Sequence, residues 1–236
     1  MPNKFKIIVA DPPWGGWNDK LKMSDVRRGA DDNYSTMTIK QIKELPIKNI
    51  ADDSGALLAL WVPSSLLQEG LDVMKAWGFK HKQTYIWVKT KKEPLKKLLN
   101  FSINNISECL VDKIKNSIKS ILTKEFLEFK LLETLAFGMG RLFRQTHEIC
   151  LIGINNNGIY KDLKNKSQRS VSFDVNLRHS TKPEALQDSL DLMFPDFNDK
   201  KIEIFSRRQR EGWVCIGKEA PLSLGKDILD SLNDLL

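Results

Sequence analysis

The chain has 236 residues, of which 41% are hydrophobic, and its formal net charge is +7. That length suits one α/β domain, and no apolar run is long enough to span a bilayer or to act as a secretory signal. The basic balance favours a polyanionic partner, but charge alone does not separate DNA from RNA, and the lack of a long apolar run predicts no membrane partner. The cysteines and histidines form no metal-ligand spacing, so we expect a cytoplasmic protein with free thiols and no metal.

Short apolar strands alternate with helical patterns along the chain, which predicts a doubly wound, mostly parallel α/β sheet covered by helices on both faces. The residues Thr181 to Glu184 resemble a helix start, with a Thr cap, an early Pro and Glu at the capping-box position. The predicted strands are Phe5–Ala10, Ala56–Val62, Gln83–Val88, Glu148–Ile154, Lys201–Phe205 and Trp213–Gly217, and the predicted helices are Thr38–Leu45, Ser65–Trp77 and Pro183–Met193.

We expect a single domain over residues 1–236, with a helical insertion at about 90–134 and a helical tail at about 222–236. The insertion is rich in lysine and follows a predicted strand. It could contact nucleic acid or a partner, or it could be a solvated excursion packed on the domain, and the pattern does not separate the two. In the tail, packing on its own domain is favoured over an interface, because four apolar residues form one stripe: Leu224, Ile228, Leu232 and Leu235.

The most informative motif is Asp11-Pro12-Pro13-Trp14, directly after the apolar run Ile7–Ala10. Two prolines must end that strand, so the motif lies at its carboxyl end, where open α/β sheets bind ligands. The Asp11 carboxylate and the Pro12 carbonyl could accept both hydrogens of a base's exocyclic amine. Trp14 could stack on a base turned out of its strand, where stacking contributes roughly 1–3 kcal/mol. Alternatively, the motif is only a strand-ending turn with Trp packed beneath it.

A cofactor site is harder to find, because no strand is followed by a glycine-rich phosphate cradle or a Walker motif. At the end of the strand Lys201–Phe205, Glu203 could hold ribose hydroxyls and Arg207 could pair with a carboxylate. The residues alone favour the simpler interpretation of a charged strand edge and a solvated basic loop.

Several blocks occur in a characteristic order: Asp11–Trp14, Asn33–Met37, Leu60–Val62, Trp77–Phe79, Ile86–Lys89, His147-Glu148, Arg178–Glu184 and Glu203–Phe205 followed by Arg207. In this order they resemble the catalytic subunit of the eukaryotic messenger-RNA adenosine methyltransferase and its bacterial and phage DNA-modifying relatives. The resemblance runs from Ile7 to Glu219, apart from residues 90–134. It implies an S-adenosylmethionine-dependent N6-adenine methyltransferase with a permuted Rossmann-like order, in which the catalytic loop comes first and the cofactor strand last.

The resemblance also implies roles for individual residues. The catalytic motif would be Asp11, Pro12, Pro13 and Trp14; the base and its loop would be held by Tyr34, Lys182 and Glu148; and the cofactor would contact Asp11, Lys182, Glu203, Phe205, Arg207, Gln209 and Glu219. Two positions depart from the messenger-RNA enzyme. Gln209-Arg210 replaces its His-Asn, and Lys218-Glu219 replaces its Asn-Gln.

The compact form, the block Arg178–Glu184 and the basic balance resemble the DNA-modifying branch more closely, so DNA is the expected substrate and RNA the alternative. A second class of function is a non-catalytic, nucleic-acid-binding partner subunit. The intact Asp11–Trp14 motif and Arg207 argue against that class. A homodimer or heterodimer is expected from the resemblance alone.

Overall fold

The computed structural model describes residues 4–15, 36–91, 131–132, 134–138, 142–175 and 182–236. Tyr34, Thr181, Cys109 and residues 92–130 of the expected insertion lie outside these ranges, and the predictions made for them stay predictions.

Strands and helices alternate through most of the described chain. The strands are β1 (Ile7–Ala10), β2 (Leu57–Val62), β3 (Lys80–Thr90), β4 (His147–Ile154), β5 (Val171–Val175), β6 (Lys201–Ile204) and β7 (Val214–Ile216). The α-helices are α1 (Ile39–Lys43), α2 (Ile47–Ile50), α3 (Leu67–Ala76), α4 (Ala185–Met193) and α5 (Ile228–Asn233).

The strands form one seven-stranded sheet in the order β5-β3-β4-β2-β1-β6-β7. β1 is central and parallel to both neighbours, with Ala10 opposite Leu60 of β2 and Ile204 of β6. β6 is also parallel to β7, whereas β4 is antiparallel to β2, with Ile149 opposite Val62. The mostly parallel α/β sheet is therefore confirmed. The ends of β1, β2, β6 and β7 and the start of β4 meet along one border of the sheet, here called the carboxyl edge.

Burial explains which strands the sequence pattern identified. All residues of β1 and β2 are buried, as expected for strands covered on both faces, and their continuous apolar runs were correctly predicted. β5 was missed because its apolar residues alternate with polar ones over only five positions instead of forming a continuous run, and Val171 and Phe173 are exposed. β3 begins at Lys80, earlier than predicted, because its first four residues are exposed and give no apolar signal.

Two helix predictions need correction. α4 begins at Ala185 rather than Pro183, and Glu184 occupies the N-cap position with no side-chain capping bond. Its carboxylate is instead paired with arginines of the loop after β6. In the tail, Ile228 and Leu232 of α5 are buried as the stripe predicts, but Leu224 is 73% exposed because the helix begins only after it.

The chain divides into two compact units. The first comprises residues 1–86, 148–172 and 184–236, and the second comprises residues 87–147 and 173–183. Within the second unit, the Trp87 indole donates to the Asp174 carbonyl at 3.2 Å and the Lys89 amide donates to the Thr146 carbonyl at 2.8 Å. None of the helices in the described ranges has the length and apolar character needed to cross a membrane.

Candidate active site

The Asp11–Trp14 loop leaves β1 at the carboxyl edge and is tied to the segment before α1. The Asp11 amide makes a long contact of 3.4 Å with the Ile204 carbonyl, and the two prolines then end the ladder because they have no N–H. The Met37 amide donates to the Pro13 carbonyl at 2.8 Å, and Met37 pairs with Trp14 in an isolated parallel bridge. The loop is thus fixed by backbone hydrogen bonds, with half-buried Asp11 at its start.

The Pro12 carbonyl accepts a hydrogen bond from the Trp14 amide at 2.9 Å. A carbonyl oxygen has two lone pairs, so a second hydrogen can still be accepted there. The loop therefore carries a carboxylate and a carbonyl with a remaining lone pair, and their role in binding an amine stays a prediction.

Trp14 lies beneath this loop and is only 4% exposed. Its indole Nε1 donates to the Trp61 carbonyl of β2 at 2.9 Å, which satisfies a polar group that is costly to bury unpaired. Little of the ring is left to stack on a base. The structure matches the packed alternative for Trp14, and we assign the ring to supporting the loop.

Glu203 lies on β6 opposite Val9 of β1. Alternate residues of a strand share a face, so Asp11 leaves β1 on the same face as Glu203. Burial raises the pKa of Glu203, and the negative charge of Asp11 raises it further, although nearby Arg208 lowers it. Two carboxylates at the carboxyl edge are therefore close enough to influence each other's charge.

One oxygen of the Glu203 carboxylate has a hydrogen-bond donor and the other has none among the described residues. Gln187 of α4 hydrogen-bonds the carboxylate, whereas Oε2 is enclosed and has no hydrogen-bond donor among the described residues. A buried acceptor without a donor is uncommon in native structures, and a bound donor group is one way to satisfy it. The hydroxyls of a ribose are donors of that kind.

The chain turns sharply out of β6 at Phe205, whose φ of 66° is rare for a bulky residue. Such conformations cluster at functional sites. Beside this turn, a Cβ at Gly217 would come within 2.3 Å of the Ser206 carbonyl oxygen, so the close approach of the two chains requires glycine there.

Other predicted site residues of the first unit also lie beyond the carboxyl ends of β6 and β7 or at the start of β4. Arg207 follows β6 and pairs with Glu219, which follows β7, at 3.6 Å between Nε and Oε1. Gln209 is exposed, and its amide lies 3.4 Å from the Trp213 carbonyl. Glu148 is the second residue of β4, next to the end of β2. Lys182 belongs to the second unit, and its role stays a prediction.

Sequence reasoning missed the residues of α4 and the loop after β6 that support Glu203 and Arg207. Gln187 is 1% exposed, and Arg210 binds three carboxylates of α4 and its N-cap. The available signal was the spacing of polar residues at positions 184, 187, 188 and 191, which places them on one helical face.

Replacing Glu203 with Gln is expected to stabilise the fold at neutral pH. A carboxyl whose pKa is raised by folding favours the protonated form, so its stability contribution declines as pH rises above the ordinary value. Gln removes that penalty. Denaturant titrations should show a larger gain for Glu203→Gln at about pH 8 than at about pH 5.

Glu211→Gln, an exposed change in the same loop, is the matched control and should show no such difference. A gain for Glu203→Gln that did not depend on pH would contradict the assignment.

The mostly parallel seven-stranded sheet, with acidic and basic side chains gathered at its carboxyl edge, is consistent with a Rossmann-like methyltransferase fold. The sequence profile of the MT-A70 family matches residues 5–132 and 130–219. The chain belongs to the MT-A70 family.

Three relatives illustrate the similarity. A rice protein named probable N(6)-adenosine-methyltransferase MT-A70-like is 22% identical over 222 residues, covering 92% of this chain and 23% of its own. The human N(6)-adenosine-methyltransferase catalytic subunit METTL3 is 22% identical over 224 residues, covering 92% of this chain and 28% of its own. The Arabidopsis N6-adenosine-methyltransferase non-catalytic subunit MTB is 34% identical over 90 residues, covering 38% of this chain and 11% of its own. The chain spans about a quarter of the length of the first two.

Proposed function

We propose that this chain transfers a methyl group from S-adenosylmethionine to the N6 amine of adenine in nucleic acid. The observation that carries the proposal is the position of two carboxylates on neighbouring strands at the carboxyl edge. Asp11 leaves β1 beside the end of β6, and the pKa of Glu203 on β6 is raised by its burial and by the charge of Asp11. Membership of the MT-A70 family and the names of the relatives support methyl transfer to the N6 amine of adenosine as the reaction at that edge.

The residues after β6 and β7 fit the cofactor. The enclosed Glu203 Oε2 has no donor in the described chain and suits ribose hydroxyls, and Arg207 suits a carboxylate. Phe205, Gln209 and Glu219 lie along the same two segments. When bound, S-adenosylmethionine would supply an electrophilic methyl group whose bond to sulfur breaks with its electron pair left on sulfur.

The chain's own contribution is to present the nucleophile. Asp11 and the Pro12 carbonyl accept the two N6 hydrogens, which orients the nitrogen lone pair and makes it more available. Asp11 acts as an acceptor and not as a strong base, so the proton that N6 loses passes to solvent after the methyl group has been transferred. Alignment of the reacting atoms and exclusion of water provide much of the rate.

The deciding experiment supplies radiolabelled S-adenosylmethionine with duplex DNA, single-stranded DNA and RNA, and then digests each product to nucleosides. The expected result is label in N6-methyladenine or its ribonucleoside. Label in cytosine, or none on any substrate, would overturn the proposal.

DNA is the proposed substrate, supported by the resemblance of the block Arg178–Glu184 to DNA-modifying relatives and by the net charge of +7. A target adenine in a duplex must then be turned out of the stack. RNA is the second candidate, favoured by relatives that are named adenosine methyltransferases. The three substrates of the labelling experiment separate these candidates.

A non-catalytic partner subunit is the remaining class, favoured by the 34% identity with the Arabidopsis non-catalytic subunit. The intact Asp11–Trp14 loop and the pair between Arg207 and Glu219 argue against it, because a subunit without chemistry needs neither. Tight nucleic-acid binding without S-adenosylmethionine binding in calorimetry would instead support that class.

The Arabidopsis non-catalytic subunit also supports the proposal that the chain works as a dimer with a second subunit.

A further inference from the structure

One face of α4 carries the polar residues that meet β6 and the loop after it. Gln187 contacts Glu203, while the carboxylates Glu184, Asp188 and Asp191 lie beside them at spacings of three or four residues. We call these three carboxylates the acidic face of α4. They form ion pairs with the basic side chains of the loop that follows β6.

Arg210 is the centre of this contact. Its Nη1 lies 2.6 Å from Glu184 Oε2, and its Nη2 lies 2.7 Å from Asp188 Oδ1 and 2.6 Å from Asp191 Oδ2. The Arg210 side chain is only 15% exposed. Burial would lower the pKa of Arg210, but Asp191 and Asp188 outweigh it and raise the pKa. The guanidinium stays charged and is held by three acceptors.

Asp191 also connects this contact to both flanking strands. Lys201 at the start of β6 lies 2.5 Å from its Oδ1, and the Trp213 indole just before β7 donates to the same atom at 3.0 Å. Burial pushes the pKa of Asp191 upward, but the hydrogen bonds from Lys201 and Arg210 hold it below its ordinary value. Asp191 therefore holds Arg210 together with the first residue of β6 and the residue just before β7, the strands on either side of the loop.

Side chains along the loop alternate between two sets of partners. Arg208 and Arg210 pair with the acidic face of α4, with Arg208 Nε 3.2 Å from Glu184 Oε1. Arg207 pairs instead with Glu219, and Gln209 contacts the Trp213 carbonyl. The even-numbered residues attach the loop to the helix, and the odd-numbered ones are those predicted to contact the cofactor.

We propose that Arg210 is a positioning residue that fixes the loop bearing Arg207 and Gln209 against the acidic face of α4, and so sets the affinity for S-adenosylmethionine. This inference rests on the proposed function. A lysine cannot reproduce the contact, because an ammonium is a compact charge, whereas the planar guanidinium reaches several carboxylates in a fixed geometry.

The test compares Arg210→Met and Arg210→Lys with Lys164→Met, which removes an exposed ion pair to Asp196 elsewhere in the first unit. Arg210→Met is expected to raise the KM for S-adenosylmethionine about tenfold or more, while kcat at saturation stays within about threefold. Arg210→Lys should fall between Arg210→Met and the unaltered protein, and Lys164→Met should change neither constant. If Arg210 only stabilised the fold, Arg210→Met would lower kcat by reducing the active fraction and would leave the KM for S-adenosylmethionine unchanged. That result would overturn the inference.

Hydrogen exchange gives a second readout that needs no cofactor. Amides of residues 206–213 should exchange about tenfold faster in Arg210→Met, while amides of β1 keep their protection. If the unaltered protein transfers no methyl group, the proposed function fails, and the exchange data alone decide whether Arg210 holds the loop. An active protein in which Arg210→Met binds S-adenosylmethionine normally contradicts the inference itself. If Arg210→Met does not fold, Asp188→Asn, which weakens one of the three contacts, is judged by both measurements.

Discussion

Asp11→Ala is expected to lower the rate of methyl transfer on the order of 10²–10³-fold while leaving S-adenosylmethionine affinity within about tenfold, roughly 1.4 kcal/mol. Asp11 provides the carboxylate acceptor at the carboxyl edge, and the Pro12 carbonyl alone cannot bind both N6 hydrogens in one orientation. Loss of one preorganised hydrogen-bonding group at a reacting centre commonly lowers kcat on the order of 10²–10³-fold. Single-turnover rates with labelled cofactor and calorimetric affinities measure the two effects separately.

The matched control is Asp53→Ala, because the Asp53 side chain is 85% exposed and pairs only loosely with Lys4, at 3.6 Å. This control should keep full activity. A near-normal rate in Asp11→Ala would remove Asp11 from catalysis. The Asp11→Ala protein should also show a lower pKa for Glu203, because one of the negative charges that raises it is gone.

Trp14→Ala is expected to lower the free energy of unfolding by about 3–5 kcal/mol, the usual cost of truncating a buried aromatic side chain. Trp14 belongs to the main core cluster and is 4% exposed. Since whole domains are stable by about 5–15 kcal/mol, this loss would remove a substantial part of the free energy of unfolding. Denaturant titration of purified protein gives the value.

Trp14→Phe tests the same residue while keeping an aromatic ring at this buried position. It removes the indole donor to the Trp61 carbonyl, and a buried acceptor left unpaired costs about 1–3 kcal/mol. Trp77→Phe is a matched control, because Trp77 is 1% exposed and its indole donates to the Ile42 carbonyl, also at 2.9 Å. Both variants should lose similar stability, but only Trp14→Phe should lower kcat. Equal kcat values for the two variants would show that the Trp14 indole does not set the geometry of the catalytic loop.

The regular parts of the fold were predictable because buried parallel strands have continuous apolar sequences. Ile7–Ala10 and Leu57–Val62 are completely buried, and each prediction was correct to within two residues. Val171–Val175 was missed because it has no continuous apolar run, although its apolar residues alternate with polar ones in the period-2 pattern of a strand. The start of α4 was misplaced because Glu184 fits a capping box by sequence, whereas two arginines more than twenty residues later bind its carboxylate.

The same limit applies to the candidate site. Asp11 could be placed at the carboxyl edge because it directly follows an apolar strand, whereas the predicted role of Glu203 came from the family resemblance alone. The support beneath them depends on contacts between distant segments, such as Gln187 with Glu203 and Trp14 with the Trp61 carbonyl. Local sequence patterns do not show which distant carbonyl or carboxylate a side chain will contact. The sequence around Trp14 was therefore equally compatible with a ring packed beneath a turn and with a ring that stacks on a base.

The position of β6 beside β1 has a consequence for how the site is assembled. Ile7 pairs with Lys201, so the strands that carry Asp11 and Glu203 are neighbours in space but lie near opposite ends of the chain. Contacts of such large sequence separation close the longest loops and are slow to form. No fragment that ends before β6 contains both carboxylates. The two halves of the site therefore come together only when the centre of the sheet is complete.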